Sequence, residues 1–158
     1  MSTPIILAID EGTTNAKAIA VDTAGQILAK ASVPLVLNHP RPGWAEQDPL
    51  AIWQAVSLAI EGCLNQLVGA RVAGVAISNQ RESVLIWERE TGTPLTPVVS
   101  WQCRRSELFC QTLSQLPEAA MIAELTGLQI DPLFPAAKVH GMLAEIPRGV
   151  ERAAYGEL

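Results

Sequence analysis

The sequence predicts an α/β fold in which a three-strand meander, a long helix and a parallel strand are followed by a helical segment. Three observations carry that expectation. Apolar runs separated by turn residues fill the first third of the chain. A helix-start signal at Asp48-Pro49 opens a stretch of 3.6-residue periodicity. A short β-branched run, residues 72–78, follows it.

Taken in order, the first strand is expected over residues 4–10 and the second over 16–22, joined by the tight turn Asp10-Glu11-Gly12-Thr13-Thr14. Thr23-Ala24-Gly25-Gln26 makes the next turn, and a third strand is expected over 27–37. The rigid loop His39-Pro40-Arg41-Pro42-Gly43-Trp44 then leads to Asp48 as N-cap and Pro49 in the first helical turn. Trp53, Val56, Ile60, Cys63, Leu64 and Leu67 recur at helical spacing and define the expected buried face. Residues 72–78 are wholly apolar, the pattern of a buried strand lying parallel to the first. Residues 84–87 and 97–100 flank Thr91-Gly92 as the arms of a hairpin. Helices are expected from about 104 to 114, from Pro117 to Thr126-Gly127, and from about 135 to 146.

At 158 residues the chain fits one domain with a sizeable core. Its composition, 49% hydrophobic and 17% charged, argues against disorder. A net charge of −5 leaves no basic footprint for nucleic acid or an anionic membrane. No apolar run approaches the length of a membrane span. The acidity does not exclude ATP, because a divalent cation and backbone N–H groups can hold phosphate in an acidic protein. Cys63, Cys103 and Cys110 form no C-x-x-C pair, and no signal-peptide pattern opens the chain, so reduced cysteines in a cytoplasmic protein are expected.

The turn at residues 10–14 holds the parts of a phosphate cradle. Gly12 lets a ligand approach the backbone, Thr13 and Thr14 add hydroxyl donors, and Asp10 can hold a hydrated divalent cation. The same residue types suit an ordinary hairpin turn. Asn79-Gln80-Arg81-Glu82 follows the expected parallel strand, at the strand end where α/β folds bind ligands. Arg81 and Glu82 can grip vicinal hydroxyls, or form a surface ion pair. Trp101 can pack against the C–H face of a polyol, or fill a core. Arg104 and Arg105 read as helix-surface charges. His39 and His140 have no partner at metal-ligand spacing.

The β-β-β-α-β order resembles the opening of the ribonuclease-H-like fold shared by sugar kinases, actin and Hsp70. The segments 10–14, Pro42-Gly43-Trp44, 79–82, 101–105 and Thr126-Gly127-Leu128-Gln129-Ile130-Asp131-Pro132 occur in one order. As a set they resemble the N-terminal part of an FGGY-family carbohydrate kinase, nearest the glycerol kinase branch. The resemblance covers essentially the whole chain. It implies transfer of the ATP γ-phosphate to a polyol or sugar hydroxyl. Asp10 would help hold Mg²⁺, Gly12, Thr13, Thr14, Asn15 and Lys17 would surround the ATP phosphates, and Arg81, Glu82 and Trp101 would hold the acceptor. An actin- or Hsp70-like ATPase shares the turn but does not explain Arg81-Glu82 or the Trp101 segment.

Three residues depart from the glycerol kinase pattern. Lys17 stands where arginine is usual and loses the bidentate fork. Glu11 replaces glutamine and puts a negative charge beside the turn, which should weaken phosphate binding unless it points outward. Leu133 replaces a tyrosine whose hydroxyl touches the substrate, which shifts the expected acceptor from glycerol towards another polyol or a sugar. The family's general base and adenine-binding domain are expected beyond Leu158. The 158 residues alone are therefore expected to be inactive, either as the truncated N-terminal part of a kinase or as a non-catalytic ligand-binding or interaction module. An unfinished sheet is also expected to favour self-association.

Overall fold

The computed structural model describes residues 3–158. In chain order its elements are β1 (Thr3–Glu11), β2 (Asn15–Asp22), β3 (Ile27–Pro34), β4 (Glu46–Gln47), α1 (Pro49–Leu64), β5 (Ala70–Asn79), β6 (Val98–Val99), α2 (Glu107–Leu113), α3 (Glu118–Thr126), α4 (Pro135–Glu145) and α5 (Gly149–Ala154). The chain divides into two compact units. One comprises residues up to 37 together with 47–81, and the other comprises 38–46 together with 82–158.

The first unit is a four-stranded sheet in the order β3-β2-β1-β5. β1 and β2 pair antiparallel from Ile5–Asp22 to Glu11–Ala16, so their turn falls at Gly12 to Thr14. β5 lies parallel to β1, with Asp10 beside Ser78 and Glu11 beside Asn79. The ladder steps from Ile5–Val72 to Ile6–Gly74, which leaves Ala73 as a bulge. β3 ends at Pro34, three residues short of the expected strand, as befits a residue that cannot donate to the ladder.

Helix α1 starts as its sequence requires. The Asp48 carboxylate accepts from the N–H groups of Leu50 and Ala51, and Pro49 occupies the first turn. Its buried residues are Ala55, Ala59 and Cys63, spaced by four; of the expected face, Cys63 is buried and Ile60, Leu64 and Leu67 pack against the core, whereas Trp53 is exposed. The reason is the opposing surface. β2 and β3 present Ala18, Ala20 and Ala29, so the helix comes close on small residues; a Cβ added at Gly62 would sit 3.3 Å from that of Ala31. Ile5 and Leu7 complete this core.

The expected burial of residues 72–78 is not found. α1 packs over β2 and β3, while β5 forms the far edge of the sheet. Val72, Val75 and Ile77 share a face with Ile5, Leu7 and Ile9 but lie outside the helix's cover, and Ile77 is 72% exposed.

The second unit has little regular sheet. Asn38 and Glu46 exchange backbone hydrogen bonds and close the Pro-rich loop, in which the His39 Nδ1 lies 2.8 Å from the Trp44 C=O. The hairpin at residues 84–99 forms through isolated bridges, Val84 with Val99 and Trp87 with Pro94. α3 ends where Gly127 takes a left-handed φ of 70°, as the Thr-Gly pair predicts. α2 begins at Glu107, later than expected, and α5 was not anticipated.

Arg105 corrects its surface reading. Its guanidinium pairs with Glu46, lies 3.9 Å from the Trp44 ring centroid and is 10% exposed. Arg104 does pair on the surface, with Glu107. All three cysteines are buried and free.

Candidate functional site

The parallel pairing of β1 with β5 brings two strand ends together, and the chemistry of the first unit gathers there. Asp10 and Lys17 face each other across the β1–β2 ladder, with the ammonium 3.4 Å from the carboxylate and both side chains about half exposed. The pair leaves a carboxylate and a cation within reach of a ligand at the turn.

The turn itself is held by groups from elsewhere in the unit. Gly12 N–H donates to the Asn15 C=O at 3.0 Å, and a Cβ on Gly12 would meet that oxygen at 3.2 Å. Gly12 is therefore needed for close approach and not for a positive φ, and its N–H is already spent inside the turn. Leu35 N–H donates to the Thr14 C=O at 2.8 Å, and the Gln47 amide donates to the Thr13 C=O at 3.0 Å. The Thr14 hydroxyl accepts from the Asn15 amide. Both turn carbonyls are thus taken up by partners within the unit.

Gln80, just past β5, connects the rest. Its amide donates to Glu11 at 2.8 Å and to the Gln47 carbonyl oxygen at 2.9 Å, its oxygen accepts from the Thr13 hydroxyl, and its N–H donates to the Glu11 C=O. Glu11 is thereby held against Gln80 and does not project freely outward. Burial pushes its carboxyl above the ordinary range, the Asp10 charge adds to that, and the Gln80 hydrogen bonds work against it. Gln47 is almost wholly buried. Sequence reasoning assigned no role to either glutamine. Their partners lie 11 to 69 positions away, and no spacing rule connects them.

Arg81 is the last residue of the first unit and is exposed; Glu82 begins the main part of the second. Glu82 has φ of 63°, in the left-handed region that a side-chain-bearing residue seldom occupies. Such outliers concentrate at functional positions. Next to it, the Ser83 hydroxyl accepts from the Trp101 N–H. Trp101 is partly exposed and lines a cavity of about 290 Å³ with Gln102, Cys103, Asp131, Pro132 and Leu133. Leu133 therefore does stand at a cavity wall shared with Trp101.

Lys138 on α4 is the third residue missed. It is fully buried, and its ammonium donates to the Leu133 C=O at 2.6 Å and the Glu82 C=O at 3.2 Å. Burial pulls its pKa below the ordinary lysine value. The available signal was its position four residues before Met142, on the helix's buried face. His140 stacks on Phe109. Among the described residues no cluster of three or more His, Cys, Asp or Glu side chains is suited to a metal, and no helix is long and apolar enough to cross a membrane.

Comparison with known proteins adds to this geometry. Residues 5–156 match the FGGY family of carbohydrate kinases, N-terminal domain. The chain is 67% identical over its whole length to the apulose kinase of Pectobacterium atrosepticum, of which it spans 32%. It is 41% identical over 155 residues to the glycerol kinase of Ralstonia pickettii, covering 97% of this chain and 31% of the relative. Among solved structures, Plasmodium falciparum glycerol kinase with ADP superposes over 99% of this chain and 32% of its own, with a TM-score of 0.91 at 26% identity. Gluconate kinase from Lactobacillus acidophilus matches 87% of this chain and 28% of its own, with a TM-score of 0.81 at 28% identity. The chain thus spans about a third of the relatives it matches, and the ribonuclease-H-like architecture is that of sugar kinases.

Proposed function

Because the chain belongs to the FGGY family of carbohydrate kinases, we propose that it forms the phosphate turn and acceptor wall of an ATP-dependent kinase acting on a small polyol or sugar, with apulose the first candidate. The observation that carries the proposal is the turn. Its carbonyls are held by Leu35 and Gln47, while Asp10 and Lys17 stand beside it with their charges accessible. An anion-binding turn needs that polarity.

In this reading Thr13, Thr14, Asn15 and Lys17 lie around the ATP phosphates, and Gly12 keeps the turn tight enough for them to do so. The donor set fits Mg²⁺ in one respect: a single accessible carboxylate, Asp10, suits an ion held mainly by phosphates and water. The ion's contribution is to offset charge on the transferred phosphoryl group. Lys17 releases Asp10 to meet a phosphate. Glu11 beside them opposes phosphate binding, and its hydrogen bond to Gln80 moderates that effect.

On the acceptor side, Arg81 and Glu82 take hydroxyl groups and Trp101 covers a C–H face. Leu133 offers no hydroxyl to the cavity it shares with Trp101, which favours an acceptor other than glycerol. The higher identity to the apulose kinase points the same way.

The test is a chimera in which residues 1–158 replace the matching third of the Pectobacterium apulose kinase. Apulose-dependent ADP release is expected from the chimera, with glycerol a poorer acceptor and no turnover by the 158-residue chain alone. A folded chimera inactive on apulose, glycerol and other small polyols would overturn the reading.

A further inference from the structure

We propose that Lys138 is a positioning residue of the acceptor site, holding Glu82 in its left-handed conformation and Leu133 at the cavity wall through their backbone carbonyls. This rests on the reading that Glu82 and the Leu133 cavity face the acceptor.

The argument begins with where a lysine is normally found. A fully buried ammonium is unfavourable unless its hydrogen bonds are satisfied. Lys138 has no exposed surface, yet no carboxylate lies within ion-pair distance of its Nζ among the described residues. Its hydrogen-bond partners are two backbone oxygens, of residues 56 and 5 positions away in sequence. On α4 the same face carries buried Met142, so an apolar side chain would pack there without any charge to solvate. What an apolar residue could not do is bind both carbonyls.

Those carbonyls belong to the two residues whose geometry matters most for an acceptor. Glu82 sits at φ 63°, a conformation unfavourable for a residue with a Cβ, so something must hold it. Its C=O bonds to Lys138 Nζ. Leu133 is fixed from both sides of its peptide: its N–H donates to the Asp131 carboxylate at 2.7 Å and its C=O accepts from Lys138 at 2.6 Å. One ammonium therefore links the strained residue to the cavity wall. Lys138 touches neither ligand in this arrangement and acts only through the backbone.

The test uses Lys138→Met and Lys138→Arg in the 158-residue chain and in the apulose kinase chimera. In the chain, the backbone ¹³C shifts of Glu82 report its φ without any ligand. They are expected to leave the left-handed range in Lys138→Met and to return part-way in Lys138→Arg. In the chimera, the acceptor KM is expected to rise about tenfold in Lys138→Met while the ATP KM stays within about twofold, with Lys138→Arg intermediate. If Lys138→Met does not fold, Lys138→Gln, which keeps one donor group, takes its place. Unchanged Glu82 shifts in a folded variant would overturn the proposal. So would acceptor and ATP KM values that rise together, since general loosening predicts that. An inactive wild-type chimera would refute the functional reading instead, and the Glu82 shifts would still decide whether Lys138 holds that residue.

Discussion

The two units of the chain are stabilised by different means. The first is backbone ladder and small apolar side chains: four paired strands, and a helix seated on alanines. The second has few ladder bonds and instead buries charged groups: Arg105 against Glu46 and Trp44, and Lys138 on two carbonyls. Periodic structure tolerates exchange of one apolar residue for another of similar size. A unit organised by a buried charge depends on single side chains, because removing one partner strands the other.

That contrast predicts an order of sensitivity. Arg105→Ala should be the most damaging change, costing about 3 kcal/mol or more, because Glu46 would be left largely buried without its partner. Denaturant unfolding followed through Trp44, which loses its stacked guanidinium, would measure it; a loss below about 1 kcal/mol would erase the distinction between the units. Ala59→Leu should come next, at about 2 kcal/mol, because the helix–sheet interface has no room for extra methylenes.

Glu11→Gln should have a smaller effect with a defined pH dependence. The folded chain holds the Glu11 proton to higher pH than the unfolded chain does. The stability this group contributes is therefore complete below its ordinary value of 4.5 and is lost as pH rises through the higher folded value. The glutamine variant should match the parent in melting temperature at acid pH and exceed it increasingly above about pH 4.5. A gap that closes on going to neutral pH would contradict the placement of Glu11 against Gln80. Ile77→Lys should change stability least, within about 0.5 kcal/mol, because the side chain is exposed at the sheet edge. Light scattering should show less self-association in this variant if the open β5 face drives it.

The same contrast explains what could be read from the sequence. The strands of the first unit, the Asp48 cap and the Gly127 stop were legible because each depends on residues close in sequence. The exposure of β5 was not, because an apolar run reports what a strand would bury and not whether anything covers it. Ile60, Cys63 and Leu64 do face the core as expected, but Trp53 is exposed, because the partner surface is made of alanines, which favour close approach by Ala55 and Ala59. Of the candidate site, Asp10 and Thr13 were legible in one turn, and Lys17 through the family resemblance. Gln47, Gln80 and Lys138 were not, since an amide or a buried ammonium is assigned a role only by a distant partner. Arg105 was misread for the same reason.

The interleaving of the units also bears on synthesis order. Residues 38–46, which belong to the second unit, leave the ribosome before the first unit is complete at Arg81. Glu46 must then wait 59 residues for Arg105. At about 5–20 residues per second that is roughly 3–12 s with Trp44 lacking one of its two guanidinium neighbours and a carboxylate unmatched. The nascent chain can thus close its sheet while a fragment of the other unit hangs from it as an open loop. Slowed translation between Arg81 and Arg105 would lengthen the interval in which a chaperone or protease could find that loop.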